Sequence, residues 1–249
     1  MPVLGVIPAR LGSSRLPRKP LLPLGGEPLI LVVTRRIADL GLCDRLVVAT
    51  DARDIENVVT RAGFEAVPTS ATHASGTERV AEVVAKTAFN DFNFILNIQG
   101  DEPFVAAAAV RGALACLERG EPLGTAAGSL DPTLAEDPSR VKVVVDRQGR
   151  AVYFSRAPIP FDRDASGEVV YHQHVGVYAY TREALARWVR LPPVPEETWE
   201  RLEQLRPLLH GIPMGVTLFD EPAAPGIDTP ADLQWAEAEI TRHLREVSP

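Results

Sequence analysis

The sequence predicts an α/β fold with a mainly parallel central sheet, helices on both faces and an inserted strand-rich subdomain. Short continuous apolar runs alternate with helical patterns as far as Gly120, and strands apolar along their whole length belong in sheets covered on both sides. Beyond Gly120 the alternation lapses, and strand-like runs follow one another with fewer helices between them. At 249 residues, 45% hydrophobic and 24% charged, the chain suits one large soluble domain with a substantial core.

Val3 to Ile7 reads as a buried strand, followed by a polar Gly/Ser/Arg/Pro loop through Pro23. Apolar positions at helical spacing predict a helix from Glu27 to Leu40, stopped by Gly41. Arg45 to Thr50 is a second strand, Asp54 to Ala62 a helix ending at Gly63, and Glu65 to Pro68 a short strand. Ser75-Gly76-Thr77-Glu78 has the form of a capping box and opens a helix running to about Phe89. Phe94 to Ile98 is a strand and Val105 to Glu118 a helix. Strands are then expected at Gly124 to Leu130, Val141 to Asp146, Val152 to Ser155 and His174 to Tyr180, with loops at Pro158, Pro160, Pro192, Pro193 and Pro195. A helix from Thr198 to Leu205, a strand near Val216 to Phe219 and a helix from Pro230 to about Arg245 follow. Thr229 is a good cap for that last helix, with Asp232 in its first turn.

The net charge of −7 argues against a nucleic-acid binder, whose phosphate contacts need a basic surface. It leaves room for a nucleotide substrate held by a few local cations. The two cysteines, Cys43 and Cys116, sit in apolar surroundings. They read as small buried hydrophobes in a reducing compartment, not as a disulfide or zinc framework. The N-terminus has no signal-peptide pattern and no run reaches the length of a membrane span. The cytoplasm is the expected location, with no membrane partner.

The strongest chemical signal is Ile7-Pro8-Ala9-Arg10-Leu11-Gly12-Ser13-Ser14-Arg15-Leu16-Pro17-Arg18-Lys19-Pro20-Leu21. A strand delivers a loop of Gly, Ser, Arg and Lys to the edge where open α/β sheets bind ligands. Gly and Ser let backbone amides approach phosphate oxygens, and Arg and Lys neutralise a transferring phosphoryl group. As bare composition, a solvated basic loop is an equal reading. Neither a Walker A motif nor GxGxxG is present, which weakens ATPase and dehydrogenase readings.

Asp101, in Gln99-Gly100-Asp101-Glu102-Pro103, follows a strand and would face the same cleft. A carboxylate there suits Mg²⁺, although Asp is also an ordinary turn former. Asp228, before Thr229-Pro230, has the same two readings. If His174 onward is a strand, Val175, Val177 and Ala179 form a core face, and His174, Gly176, Tyr178 and Tyr180 a polar aromatic one suited to a sugar. His172 and His174 share a face, but no third metal ligand has suitable spacing. Arg79 lies in a helix's first turn, where the macrodipole disfavours a cation, so a compensating anion is expected nearby; a nucleotide phosphate is one candidate. Glu78 reads as a helix cap.

The N-terminal segment resembles the signature of the CMP-Kdo synthetases, which activate 3-deoxy-manno-octulosonate (Kdo), and more loosely that of CMP-sialic acid synthetases. The resemblance continues, in the family's order and over nearly the whole chain, through Ala49-Thr50-Asp51, Ser75-Gly76-Thr77-Glu78-Arg79, Asn97 to Pro103, Tyr153-Phe154-Ser155-Arg156, His174-Val175-Gly176-Val177-Tyr178, Leu202-Glu203-Gln204-Leu205-Arg206 and Gly226-Ile227-Asp228-Thr229-Pro230. Arg18 stands where many relatives have glycine, and Phe161 where a tryptophan is common.

The resemblance implies a Rossmann-like nucleotidyltransferase fold in one domain, with a nucleotide-binding core at about 1–130 and 206–249 and a sugar-binding and dimerisation segment at about 131–205. It implies CMP transfer from CTP to Kdo for lipopolysaccharide synthesis, by a homodimer. Asp101 and Asp228 would hold Mg²⁺, with Asp101, Lys19 and Arg10 acting on the phosphates. Pro8, Ala9, Arg10, Ser13, Arg15, Lys19, Ser75, Arg79 and Gln99 would bind CTP. Gln99, Arg156, Arg163, His174, Tyr178, Glu203 and Gln204 would surround the sugar acid. A sialic acid or amino-Kdo analogue is the alternative acceptor. A non-catalytic nucleotide-sugar sensor is the rival from another class, disfavoured by the presence together of Lys19, Asp101 and Asp228.

Overall fold

The computed structural model describes residues 1–12 and 15–247, with side chains as far as Arg242. The strands are β1 (Val3–Ala9), β2 (Pro23–Leu24), β3 (Glu27–Pro28), β4 (Arg45–Thr50), β5 (Glu65–Pro68), β6 (Phe94–Ile98), β7 (Leu123–Leu130), β8 (Lys142–Val145), β9 (Ala151–Ser155), β10 (Tyr171–Thr181) and β11 (Met214–Pro222). The helices are α1 (Leu29–Leu40), α2 (Arg53–Arg61), α3 (Gly76–Ala85), α4 (Ala107–Glu118), α5 (Arg182–Trp188), α6 (Pro195–Glu200), α7 (Leu205–Leu209) and α8 (Pro230–Val247). The expected α/β class is the one observed.

The chain divides into two compact units. One comprises Leu4–Phe89, Asn97–Phe104 and the chain from Pro225 on; the other comprises Met1–Val3, Asn90–Leu96 and Val105–Ala224. In the first unit β1, β4 and β5 run parallel, Leu4 opposite Arg45 and Thr50 opposite Pro68. Leu4, Val6, Ile7, Val47 and Val48 are fully buried, as strands covered on both faces should be. Helix α1 presents Leu29, Ile30, Val33 and Ile37 to the core, a helical stripe that the sequence periodicity anticipates. It starts two residues later than expected, because Pro28 favours an extended residue before it. Glu27 therefore pairs with Leu24 across a tight hairpin, whose Gly25 and Gly26 hold φ of 61° and 85°, values glycine adopts without steric cost.

In the second unit β7 runs parallel to β11 and antiparallel to β10, while β8 pairs with both β10 and β9. Two expectations fail here. The predicted helix from Thr198 to Leu205 is instead two short ones, α6 and α7. Pro195 opens α6 in the first turn, and Arg201 ends it in a left-handed conformation with φ of 52°. Helix α5 was not anticipated. Thr181, the last residue of β10, also caps it, its Oγ1 accepting from the Ala184 amide at 3.1 Å, so the strand signal masked the helix start. No helix among the described residues is long and apolar enough to cross a membrane.

Candidate active site

The first unit contains a cleft of about 290 Å³. Strand β1 ends at Ala9 and delivers Arg10, Gly12, Arg15, Lys19 and Pro20 to its wall; the turn after β6 adds Gln99, Gly100 and Asp101. Helix α3 contributes Ser75, Gly76 and Arg79, and the segment before α8 contributes Asp228. Of the residues expected to bind CTP, Pro8, Ala9, Arg10, Arg15, Lys19, Ser75, Arg79 and Gln99 all line this cleft; Ser13 lies outside the described residues. Gly12, whose loop the sequence singles out, lines it as well, and so do Pro20, Gly76 and Gly100, which the sequence reading gave no role although each lies inside a motif. Gly100 is needed for space, since a Cβ there would sit 3.1 Å from the Pro8 carbonyl oxygen.

The centre of the cleft is a charge cluster drawn from three distant parts of the chain. Lys19 Nζ donates to Asp101 Oδ2 at 2.5 Å, to the Ile227 carbonyl at 2.9 Å and to Asp228 Oδ1 at 3.0 Å. Arg15 Nη2 lies 2.9 Å from Asp228 Oδ2. The Asp101 carbonyl accepts from the Ile227 amide at 2.9 Å, which pins the two carboxylate-bearing segments together. Burial alone would lower the Lys19 pKa, but Asp101 and Asp228 outweigh it and hold the ammonium above its ordinary value. Burial would likewise raise Asp228, and Lys19 and Arg15 reverse it, so Asp228 stays below the usual carboxylate range.

Whether these residues fit a divalent cation is tested by what they already hold. The Lys19 ammonium sits at the convergence of two carboxylates and a main-chain carbonyl. Such hard oxygen donors are the type Mg²⁺ takes, usually only one or two carboxylates with phosphate and water completing the shell. Among the described residues no group of three or more His, Cys, Asp or Glu is placed to hold a metal by itself.

Helix α3 is organised at its N-terminus as its sequence suggests. Ser75 Oγ accepts from the Glu78 amide at 3.2 Å, while Glu78 Oε2 accepts from the Ala74 amide at 2.8 Å, one residue earlier than in the standard box. The anion compensating Arg79 is Asp51, at 3.1 Å, with a further bond from Arg79 to Thr69 Oγ1. Arg79 is 3% exposed, so its charge is already matched within the protein. Arg18 has φ of 58° and pairs with Asp54 at 2.6 Å. A Cβ at such a φ costs about 1 kcal/mol, so glycine would occupy this position with less strain. Both cysteines are free; burial pushes the Cys43 thiol up to about 12, so it does not resemble a nucleophile.

The residues expected around the sugar acid, apart from Gln99, lie in the second unit. Arg156 ends the β9 segment: its Nε donates to the Glu200 carbonyl at 2.7 Å and its Nη1 to the Pro138 carbonyl at 2.6 Å. Gln204 is buried, its Nε2 without a hydrogen-bond partner among the described residues. Glu203 is half-buried and Arg163 is exposed in a loop. His174 and Tyr178 belong to an aromatic row with Phe154, Tyr180 and Trp188. Tyr178 is buried within it, and a register shift in β10 between His174 and Tyr178 interrupts the simple pleat. His174 Nε2 lies 2.9 Å from Thr125 Oγ1, whose own proton goes to the Val177 carbonyl at 2.7 Å. That hydroxyl must therefore accept, which assigns the proton to His174 Nε2. Burial drives the His174 pKa down to about 3, so the ring is a neutral donor, not a cation.

Residues 4–214 match the model of the cytidylyltransferase family. This chain belongs to that family. The cytidylyltransferase is 52% identical over 238 residues, covering 94% of this chain and 92% of its relative, to a protein of Gemmatimonas aurantiaca named 3-deoxy-manno-octulosonate cytidylyltransferase. A protein of the same name from Methylococcus capsulatus is 46% identical over 98% of this chain and 97% of its own length. Among solved structures, a CMP:2-keto-3-deoxy-manno-octonic acid synthetase complexed with CTP superposes on the cytidylyltransferase with a TM-score of 0.90 and 38% identity, over 98% of this chain and all of that one. The cleft of the first unit is thus found in a chain whose solved relative carries CTP.

Proposed function

We propose that this cytidylyltransferase transfers CMP from CTP to the anomeric hydroxyl of Kdo, releasing pyrophosphate. The observation that carries the reading is the meeting of Lys19, Asp101 and Asp228 beside the Arg10–Lys19 loop in one cleft. Arg10, Arg15 and Lys19 hold the triphosphate and stabilise charge on the departing pyrophosphate. Main chain at Pro8 and Ala9, with Gln99, offers amide and carbonyl groups to the edge of cytosine. Asp101 and Asp228 would hold Mg²⁺, which supplies activation of the attacking hydroxyl and neutralisation of phosphate oxygens. No protein nucleophile is required, because the sugar's own hydroxyl attacks the α-phosphorus.

Arg156 recognises the sugar carboxylate, whose geometry its planar fork matches. Arg163, Tyr178, Glu203 and Gln204 join it, while neutral His174 spends its one proton on Thr125 Oγ1. The segment 131–205 carries acceptor recognition, with nucleotide binding assigned to about 1–130 and 206–249. Val152, Phe161 and Val170 of this segment are exposed apolar side chains, available for burial in a homodimer contact within about 151–191. The product serves lipopolysaccharide assembly in the cytoplasm.

The test is pyrophosphate release from CTP and Mg²⁺ with Kdo or N-acetylneuraminate as acceptor. A preference for Kdo of at least about a hundredfold in kcat/KM is expected, since mismatched polar pocket groups cost several kcal/mol. Equal turnover of the two acids would overturn the choice of acceptor and leave cytidylyl transfer standing.

A further inference from the structure

The arginines around Arg156 differ in one respect that bears on ligand binding. Arg206 makes a two-pronged ion pair with Glu197, at 2.7 and 2.6 Å, and Arg140 lies 3.7 Å from Asp137. Arg156 is held otherwise. Its Nε and Nη1 donate to two neutral main-chain carbonyls, of Glu200 and Pro138. Among the described residues, no carboxylate pairs with its guanidinium and Nη2 has no hydrogen-bond partner. The charge is fixed in place without being cancelled, as an anion-binding arginine requires.

Glu200 does most of the fixing. One carboxylate oxygen accepts from Ser155 Oγ at 2.5 Å and the other from the Arg156 amide at 2.8 Å, while its carbonyl takes Arg156 Nε at 2.7 Å. The Glu200 carboxylate is thus spent on the backbone of the arginine's own segment, and only its uncharged carbonyl touches the guanidinium. On the opposite side, fully buried Lys142 donates to the Arg156 carbonyl at 2.5 Å and to the Asp137 carbonyl at 3.1 Å. Both main-chain polar groups of Arg156 and both bonded guanidinium nitrogens are therefore anchored.

We infer that Glu200 is a positioning residue for acceptor recognition, setting Arg156 so that its free edge meets the carboxylate of the sugar acid. This rests on the reading of Arg156 as the carboxylate anchor, and a double-mutant cycle separates the two. Kinetics are measured with CTP, Mg²⁺ and Kdo for wild type, Glu200→Ala, Arg156→Ala and the double variant. Glu200→Ala is expected to raise the KM for Kdo about tenfold, the scale of one charge-assisted hydrogen bond, with the KM for CTP unchanged. In the Arg156→Ala background the same change is expected to add less than about twofold, because the group it positions is gone. Ser155→Ala, which removes one bond from the clamp and no charge, is expected to give a smaller shift in the same direction and serves if Glu200→Ala fails to fold. Equal effects of Glu200→Ala in both backgrounds, or an effect on the KM for CTP, would overturn the positioning role alone. An unchanged KM for Kdo in Arg156→Ala would overturn the anchor reading and this role with it.

Discussion

Acid should destabilise the enzyme through His174 before it reaches any carboxylate. The native pKa of His174 is about 3 against about 6.5 for the unfolded chain. Below pH 6.5 the unfolded state therefore binds a proton that the native state refuses, and stability falls as pH falls. At pH 5 the chain is about 1.5 units below the unfolded value, worth at most about 2 kcal/mol at 1.36 kcal/mol per unit. The figure is an upper bound because the His174 side keeps partial exposure. For a chain of this size it corresponds to a fall in Tm of roughly 4–8 °C. His174→Gln removes the titration and keeps a side-chain amide able to donate to Thr125 Oγ1. Thermal unfolding followed by circular dichroism at steps between pH 7.5 and 5.0 should show a smaller loss in the variant. The window isolates the histidine. Asp228 and Glu82 also have lowered pKa values, but their contributions fade only below the ordinary carboxylate range near 4. His172, lowered by burial, is present in both proteins and cancels in the difference. Parallel loss of stability in wild type and His174→Gln would refute the buried neutral assignment.

Asp101→Asn should lower turnover at least about a hundredfold at saturating Mg²⁺ while weakening CTP binding less, measured by steady-state kinetics beside calorimetric titration of CTP. Near wild-type turnover would remove Asp101 from the phosphate chemistry. Lys19→Ala should raise the KM for CTP or depress kcat with either acceptor, and leave the KM for Kdo within about twofold, since it touches only the common phosphates. Sedimentation velocity at micromolar concentration should show a dimer, and Phe161→Asp should shift it toward monomer.

Most of the first unit was legible because its elements are signalled locally. The Arg45–Thr50 and Glu65–Pro68 strands have the observed limits, and the Ser75 cap has the expected bond. The loop that walls the cleft was legible for the same reason: it is a Gly/Ser/Arg/Lys run directly after a strand, fifteen consecutive residues from Ile7 to Leu21, and Arg10, Gly12, Arg15 and Lys19 of it line the cleft. What stayed hidden is partnership over long separations. Nothing near Arg79 in sequence names Asp51 as its counter-ion, and the pleat at His174 to Tyr180 could not reveal the register shift in the pairing of β10 with β7. Glu200 escaped notice because its value lies in bonds to Ser155 and Arg156, more than forty residues away. The helix expected over 198–205 failed because Arg201 adopts a conformation that no propensity scale assigns to arginine.

The central cluster also constrains how the proposed reaction can be set up. Lys19 and Arg15 face Asp101 and Asp228, two cations against two carboxylates, so their charges cancel. Arg79 is balanced by Asp51. A triphosphate arriving alone would meet a site whose cations are largely committed, and would bring several negative charges toward two carboxylates. If Lys19 turns to the phosphates, Asp101 and Asp228 lose the ammonium between them, and like charges pinned together by the Ile227–Asp101 main-chain bond repel in a partly desolvated cleft. Mg²⁺ held by Asp101 and Asp228, as proposed, would supply positive charge to offset both the carboxylates and the phosphates. On that proposal, metal and nucleotide are expected to bind together, not nucleotide first. Calorimetry should show CTP affinity in Mg²⁺ at least about tenfold above that in EDTA, and Lys19→Met should tighten Mg²⁺ binding to the nucleotide-free protein, because the competing ammonium is gone. Unchanged Mg²⁺ affinity in that variant would mean that the lysine and the metal do not share a place.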